Sequence, residues 1–353
     1  KVIERLISYG MTHMDPEPSK LNIHCDKKTN EASVEILFRN TINCVRGVAA
    51  EAIGGLLWSH TDWLDRLRPG IASLVNDPHP AVRMASMDAL QPVINIDKDL
   101  AVAWFCKACE NDLRVAASPK AVFFFNYTVA SHFEQIAPII REMVRSPLDD
   151  VSQKGATEVA ARWLFYEIFG EELAECRKGR IPQRKGIAQV TSNFLNDEKY
   201  SVRCQELLLP LFNDPEKDVR AETLKMMRGN IFPNKLAMNS EFLKAYIRSK
   251  AFADGPSVIV GNLKDFSGSL IPLAEIIFAV CEVFSTTLKE KSREAGSDVP
   301  HTMSQVCSLL LRLYEQAQGA NNNKIVNYCM DIWDMLFESR VGMIRQLTSA
   351  IEK

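Results

Sequence analysis

The chain has 353 residues, with 42 Lys and Arg against 44 Asp and Glu, for a formal charge of -2. At 46% hydrophobic and 24% charged residues it has the balance of a folded globular protein, which excludes wholesale disorder. Near-neutral charge also excludes a long-range attraction of the whole chain for nucleic acid or anionic lipid, so such binding would need a local patch.

The chain opens Lys1-Val2-Ile3-Glu4-Arg5, without an initiator Met or a charged-then-apolar secretory pattern, and is expected to be a piece of a longer polypeptide. Residues 1–40 read as an N-terminal helix followed by a polar loop, with Pro16 and Pro18 inside it. Asn22 to Leu37 leaves room for a short hairpin turning around Asp26 to Asn30. From residue 41 helical spacing takes over. Val45, Val48, Ala49, Ala52, Ile53 and Leu56 form one apolar stripe. The same template fits Phe133, Ile136, Ala137, Ile140 and Val144, then Ala156, Val159, Ala160, Trp163 and Leu164, then Cys204, Leu207, Leu208, Leu211 and Phe212. Residues 229–353 begin irregularly, with Pro233, Gly255, Pro256, Gly261 and Gly268. They end in three longer helices, expected to form a C-terminal helical bundle that caps the rest. Their stripes are Leu273, Ile276, Ile277, Val280, Cys281 and Phe284; Val306, Leu309, Leu310, Leu313 and Tyr314; and Val326, Cys329, Met330, Trp333 and Phe337. The fold class is all-α.

The turns repeat too. Asn76-Asp77-Pro78-His79-Pro80-Ala81-Val82-Arg83 is matched by Asn213-Asp214-Pro215-Glu216-Lys217-Asp218-Val219-Arg220, with looser copies at Asn196 to Arg203 and Ser146 to Val151. Asp suits a helix start because it accepts free backbone N–H groups, and Pro is tolerated in the first turn. Val45 to Val82 spans 37 residues, so the period is roughly 35–40 residues, which stands for stacked helix pairs. These turns resemble the HEAT-repeat family, whose inter-helix turn carries the same Asp-Pro and Val-Arg pattern. Over residues 41–228 the resemblance implies an irregular HEAT-like α-solenoid.

The longest apolar stretch, Leu270 to Phe284, is interrupted by Glu275 and Glu282 and is too short to cross a bilayer, so no membrane contact is expected. Nine cysteines, an odd number scattered through helical stretches, point to free thiols and a cytoplasmic location. No phosphate-binding loop, dinucleotide fingerprint, nucleophile elbow or His-Glu-x-x-His spacing occurs, so no catalytic residue, cofactor or metal is assigned. Cys106-Lys107-Ala108-Cys109 is the one CxxC, and it reads as two ordinary helix cysteines because no second pair accompanies it. Phe123-Phe124-Phe125-Asn126-Tyr127 reads as rings filling the core between neighbouring repeats, with an exposed aromatic surface as the alternative. Arg46, Arg83, Arg203 and Arg220 are expected to meet carboxylates of adjacent repeats, and the alternative is a free line of guanidinium groups. Asp331 and Asp334 read as solvated rather than as an acid–base pair. Arg177, Lys178, Arg180, Arg184 and Lys185 fall within nine residues with no acid between them, and are the candidate partner-binding residues.

A second resemblance rests on Asn43 to Ile53 followed by the Asp-Pro turn, and on Leu311-Arg312-Leu313-Tyr314-Glu315 with Asp331-Ile332-Trp333-Asp334. These segments look like the C-terminal repeat region of bacterial STAND/NACHT-type signal-transduction NTPases, a group that includes antiviral defence proteins. It implies a non-catalytic sensor region whose ATPase and effector parts lie upstream. The expected function is therefore a protein-interaction scaffold, with protein as the partner. The alternative is a nucleic-acid-binding solenoid acting through the basic loop 177–185, whose affinity would fall steeply with salt.

Overall fold

In the computed structural model the described residues are 2–21, 32–227, 240–287 and 299–338. Among them no strand occurs, and the fold is all-α. The chain divides into two compact units, residues 1–186 and 187–353, whereas composition had suggested joins after residues 40 and 228.

In the first unit lie α1 (Val2–Thr12), α2 (Val34–Asn40), α3 (Val45–Ser59), α4 (Leu64–Val75), α5 (Pro80–Ile96), α6 (Lys98–Cys109) and α7 (Pro119–Thr128). They are followed by α8 (Phe133–Arg145), α9 (Asp149–Tyr166), α10 (Gly170–Lys178) and α11 (Ile181–Phe194), within which the division falls. Helix α3 packs on α4 and α5, α4 on α5 and α6, α5 on α6 and α7, and α8 on both α6 and α9. Helices α3, α4 and α5 thus each meet the next and the next but one.

Local chemistry starts these helices. Asp97 accepts the Leu100 N–H at 3.0 Å to open α6, and Ser118 accepts that of Ala121 ahead of Pro119 in α7. Before α5 the buried His79 ring does the same work: Nδ1 accepts the Ala81 N–H at 3.1 Å, while Nε2 lies 3.2 Å from the Lys20 carbonyl. Burial pushes the His79 pKa down, which keeps the ring neutral and Nδ1 free to accept. Asp77 sits one step earlier than expected. Its Oδ1 accepts the His79 N–H at 2.8 Å, closing the turn rather than capping the helix. Asp112, Asp197 and Asp214 repeat this contact with Arg114, Lys199 and Glu216, and Ser146 repeats it with Leu148.

Two sequence expectations need correction. The buried side of α3 is Arg46, Gly47, Ala49, Ala50, Ile53, Gly54 and Leu57, while Val48 and Ala52 are exposed. The cause is Gly54: a Cβ there would stand 2.3 Å from the Asp88 carbonyl oxygen, so the bare glycine is what lets α3 lie against α5. The suggested hairpin fails over 34–37, which is helical in α2, with Ser33 accepting the Ile36 N–H. Its remaining part, 22–31, lies outside the described residues.

The N-terminal segment runs along the turns of the successive pairs. Arg46 donates to the carbonyls of His13 and Pro16, and Lys20 meets His79. Further on, Arg114 donates to the Ala32 carbonyl at 2.7 Å, and the Val34 N–H donates to Asp150 at 2.9 Å. Between these ties Ala32 and Leu37 pack on Ala81 and Met84 of α5. The polar loop expected within residues 1–40 is, over 13–20, a strap held to these turns.

The second unit contains α12 (Ser201–Leu211), α13 (Lys217–Thr223), α14 (Ser240–Ile247), α15 (Lys250–Asp254), α16 (Ser257–Asp265), α17 (Ala274–Ser285), α18 (Val299–Gly319) and α19 (Asn323–Glu338). Its core centres on α17, with Ile276, Ile277, Val280, Cys281 and Phe284 buried against α18 and α19. In α19 the buried side is Cys329, Ile332, Trp333 and Leu336, and the expected Met330 and Phe337 are exposed. Among the described residues no helix is long and apolar enough to cross a membrane.

Candidate functional site

Polar side-chain contacts between helices recur at a nearly constant separation. Arg46 pairs with Asp77, Asp88 with Lys120, Asp99 with His132, Arg141 with Glu172 and Asp149 with Arg180, at separations of 31–33 residues. In the second unit Arg220 with Asp254, Lys244 with Glu275 and Arg248 with Glu282 extend the series at 31–34. Opposite charges at this spacing reinforce one register between neighbouring pairs.

Three of the four arginines expected to form a ladder, Arg46, Arg83 and Arg220, meet carboxylates. Arg46 makes a two-point contact with Asp77, Nε to Oδ2 at 2.6 Å and Nη2 to Oδ1 at 3.0 Å. Arg83 donates to the Glu110 carbonyl at 2.9 Å and lies 3.9 Å from Asp112. Arg220 meets Asp254 at 2.6 Å together with the carbonyls of Asp214 and Pro215. These guanidinium groups hold turns together and do not form a free line.

The basic cluster is not the loop that composition suggested. Arg177 and Lys178 close α10, Gly179 and Arg180 form the short break, and Arg184 and Lys185 lie in α11, which starts with Ile181-Pro182. Arg180 donates to the Ser146 carbonyl and lies 3.4 Å from Asp149, while Arg184 donates to the Gly179 carbonyl. Two of the five cations thus serve helix ends. Arg177 and Lys178 are exposed, and Lys185 is half-buried.

A different face concentrates more chemistry. Along α9, Lys154, Glu158, Arg162 and Tyr166 follow one another at i, i+4 spacing, so they share one side of the helix. Glu158 and Arg162 are buried side chains in a 2.8 Å ion pair, and Lys154 approaches Glu158 at 3.4 Å. Arg162 also donates to Asn126 of α7 at 2.7 Å. Further along α7, Lys120 reaches Asp88 of α5, where burial pushes the carboxyl pKa up against the pull of the ammonium. Phe124 and Phe125 fill the core beside Phe105, whereas Phe123 is half-buried, Tyr127 exposed, and their rings lie 4.4 Å apart. Tyr166 is exposed as well. Sequence reasoning missed this site because it scored α9 only for its apolar stripe. The signal was the polar row Lys154, Glu158, Arg162 in a helix otherwise rich in small residues.

In the second unit a groove of about 890 Å³ runs over α17 between α14 and α19. Glu275, Ala279 and Glu282 line it from α17, and Lys244 and Tyr328 from either side. Two of its cations are paired, Lys244 with Glu275 at 3.0 Å and Arg248 with Glu282 at 3.3 Å, and Lys324 also lines it. Asp331 and Asp334 are both exposed, and Asp331 borders the groove.

The cysteines follow their surroundings. Eight are free thiols, and Cys25 lies outside the described residues. Burial pushes Cys44, Cys307 and Cys329 up to about 11, and Cys176 and Cys204 up to about 12. The CxxC ends α6, where the helix dipole disfavours a thiolate, and burial pushes the Cys109 thiol well up. Only Cys106 of the eight is half-exposed. Brief iodoacetamide treatment of the native protein at pH 8, read by peptide mapping, is expected to label Cys106 well before the seven buried thiols. Equal labelling of Cys109 would contradict the packing at the end of α6. Among the described residues no group of three His, Cys, Asp or Glu side chains is placed to hold a metal ion.

Compared with protein families and with curated proteins, the sequence matches none.

Proposed function

We propose that this chain is a non-catalytic protein-interaction module, an irregular HEAT-like solenoid that serves as the ligand-sensing part of a larger bacterial NTPase in antiviral defence. The observation that carries the reading is the series of charge pairs at 31–34 residues, which fits a stack of helix pairs sharing one register. Within each unit, stacked helix pairs leave one side of the helices available to a partner. In the first unit Tyr127 of α7 and Tyr166 of α9 are exposed near the buried Glu158–Arg162 pair, and exposed aromatic side chains are enriched at protein-recognition surfaces. The sensor role and the bacterial setting rest on the resemblance of residues 43–53 and 311–334 to STAND/NACHT repeat regions. Binding would act as a switch if the partner prefers one conformation of the whole protein.

The test is capture from lysates of phage-infected and uninfected cells on the immobilised chain, with and without nuclease. The expected result is an infection-dependent protein that survives nuclease treatment and persists when Arg177 and Lys178 are changed to Glu. No infection-dependent partner would overturn the sensor role. A partner lost with nuclease and with the two charge reversals would replace this reading by nucleic-acid binding through the 177–185 cluster.

A further inference from the structure

Arg162 is the most unusual side chain of the first unit. It is only 1% exposed, and one nitrogen, Nη2, makes both of its bonds, to Asn126 Oδ1 at 2.7 Å and Glu158 Oε2 at 2.8 Å. Its Nε and Nη1 are buried and have no partner. Buried N–H groups are nearly always satisfied, and a cationic donor left unpaired is costly, so the site is built for one more acceptor. The local charges say which kind. Lys154 and Arg162 carry two positive charges against the single negative charge of Glu158, leaving one in excess.

We propose that Arg162, with Lys154 and Asn126, binds one carboxylate of an acidic peptide segment on a partner protein. The idea rests on the interaction-module reading and names the chemistry it would recognise. A single carboxylate matches the single excess charge and can take two N–H groups of a guanidinium at once. A phosphate dianion fits worse, because Glu158 already occupies the same guanidinium. The way in is Asn126, which is itself exposed although its amide oxygen touches the buried arginine. An arriving carboxylate exchanges with that neutral oxygen and reaches the free donors. Flanking rings favour a peptide over a small free anion: Phe123 and Tyr127 stand beside Asn126 on α7, and Tyr166 one turn beyond Arg162 on α9.

The test selects phage-displayed random 12-residue peptides on the full chain, then measures one enriched peptide and its Asn/Gln counterpart by fluorescence anisotropy. Enrichment of Asp or Glu beside an aromatic or aliphatic residue is expected, with at least tenfold weaker binding for the amide counterpart. Asn126→Asp places a carboxylate on Arg162 from within. It should reduce peptide affinity at least tenfold without lowering the melting temperature, which separates occupation of the site from unfolding. Arg162→Lys should also weaken binding, with folding checked by the same melting curve. If peptides are selected but bind equally well as amides, or are untouched by Asn126→Asp, the carboxylate site is wrong while the interaction-module reading stands. Recovery of no peptide also overturns the proposal, since the lysate capture judges that reading separately.

Discussion

Changing Gly54 to Ala should destabilise the first unit, while the same change at the adjacent Gly55 should stabilise it. Both glycines lie in α3, where replacement by Ala is worth about 1 kcal/mol in helix propensity. At Gly55 a Cβ would meet nothing within 4 Å, so that gain is kept. At Gly54 it would stand 2.3 Å from the Asp88 carbonyl oxygen and 2.7 Å from its carbon, and backbone cannot rotate away as a side chain can. Helix α3 must lift from α5, and overpacking of this kind costs about 1–3 kcal/mol, more for Gly54→Val. At roughly 2–4 °C per kcal/mol for a domain of this size, thermal unfolding should shift down for G54A and up for G55A. A G54A protein as stable as the parent would mean that α3 and α5 are not in this contact. Gly155 of α9 offers an independent copy of the test, since a Cβ there would stand 2.5 Å from the Val144 backbone nitrogen.

Removing one partner of the Arg46–Asp77 pair should cost about 3–5 kcal/mol, because a buried charge is left without its counter-ion. Side-chain exposure is 7% for Arg46 and 5% for Asp77, so solvent cannot replace what is lost. Arg46→Met also strips the donors from the His13 and Pro16 carbonyls. Arg46→Lys should recover little, since an ammonium lacks the planar fork. The contrast is Arg66 with Glu4, 49% and 65% exposed, where substitution should cost at most about 1 kcal/mol. Urea unfolding of the two variants side by side decides the point. Equal, small losses would mean the buried pair contributes nothing special.

What could be read in the sequence followed how sharply each helix separates its two sides. Helix α8 was fully legible: Ile136, Ala137, Ile140 and Val144 are buried as their spacing predicts, with Phe133 half-buried, because the other side is polar. Helix α3 was legible in part: Ala49 and Ile53 are buried as their spacing predicts, but Val48 and Ala52 are exposed, since glycine carries no hydrophobic signal and yet marks the side that comes closest to a neighbour. The first half of helix α2 fell inside the stretch Asn22 to Leu37 that left room for a hairpin. The Ser33 cap and the Glu35–Arg39 pair were there to argue for a helix. In α9 the buried Glu158 and Arg162 were invisible, because a burial pattern treats charge as a sign of solvent. The basic cluster was noticed as charge, but Gly179 and Arg180 are only a two-residue break between helices, and Pro182 favours the start of the next.

Arrays of helix pairs ordinarily fray from their ends, because each pair depends only on the one beside it. Two described segments alter that expectation: residues 13–20 are fastened to both Arg46 and His79, and residues 32–34 to both Arg114 and Asp150. Loosening one turn of either pair strains the attachment to the other, so two local openings are coupled into one. Amide hydrogens at the starts of α3 and α5 should therefore exchange with similar protection, and deleting residues 13–20 should make them differ.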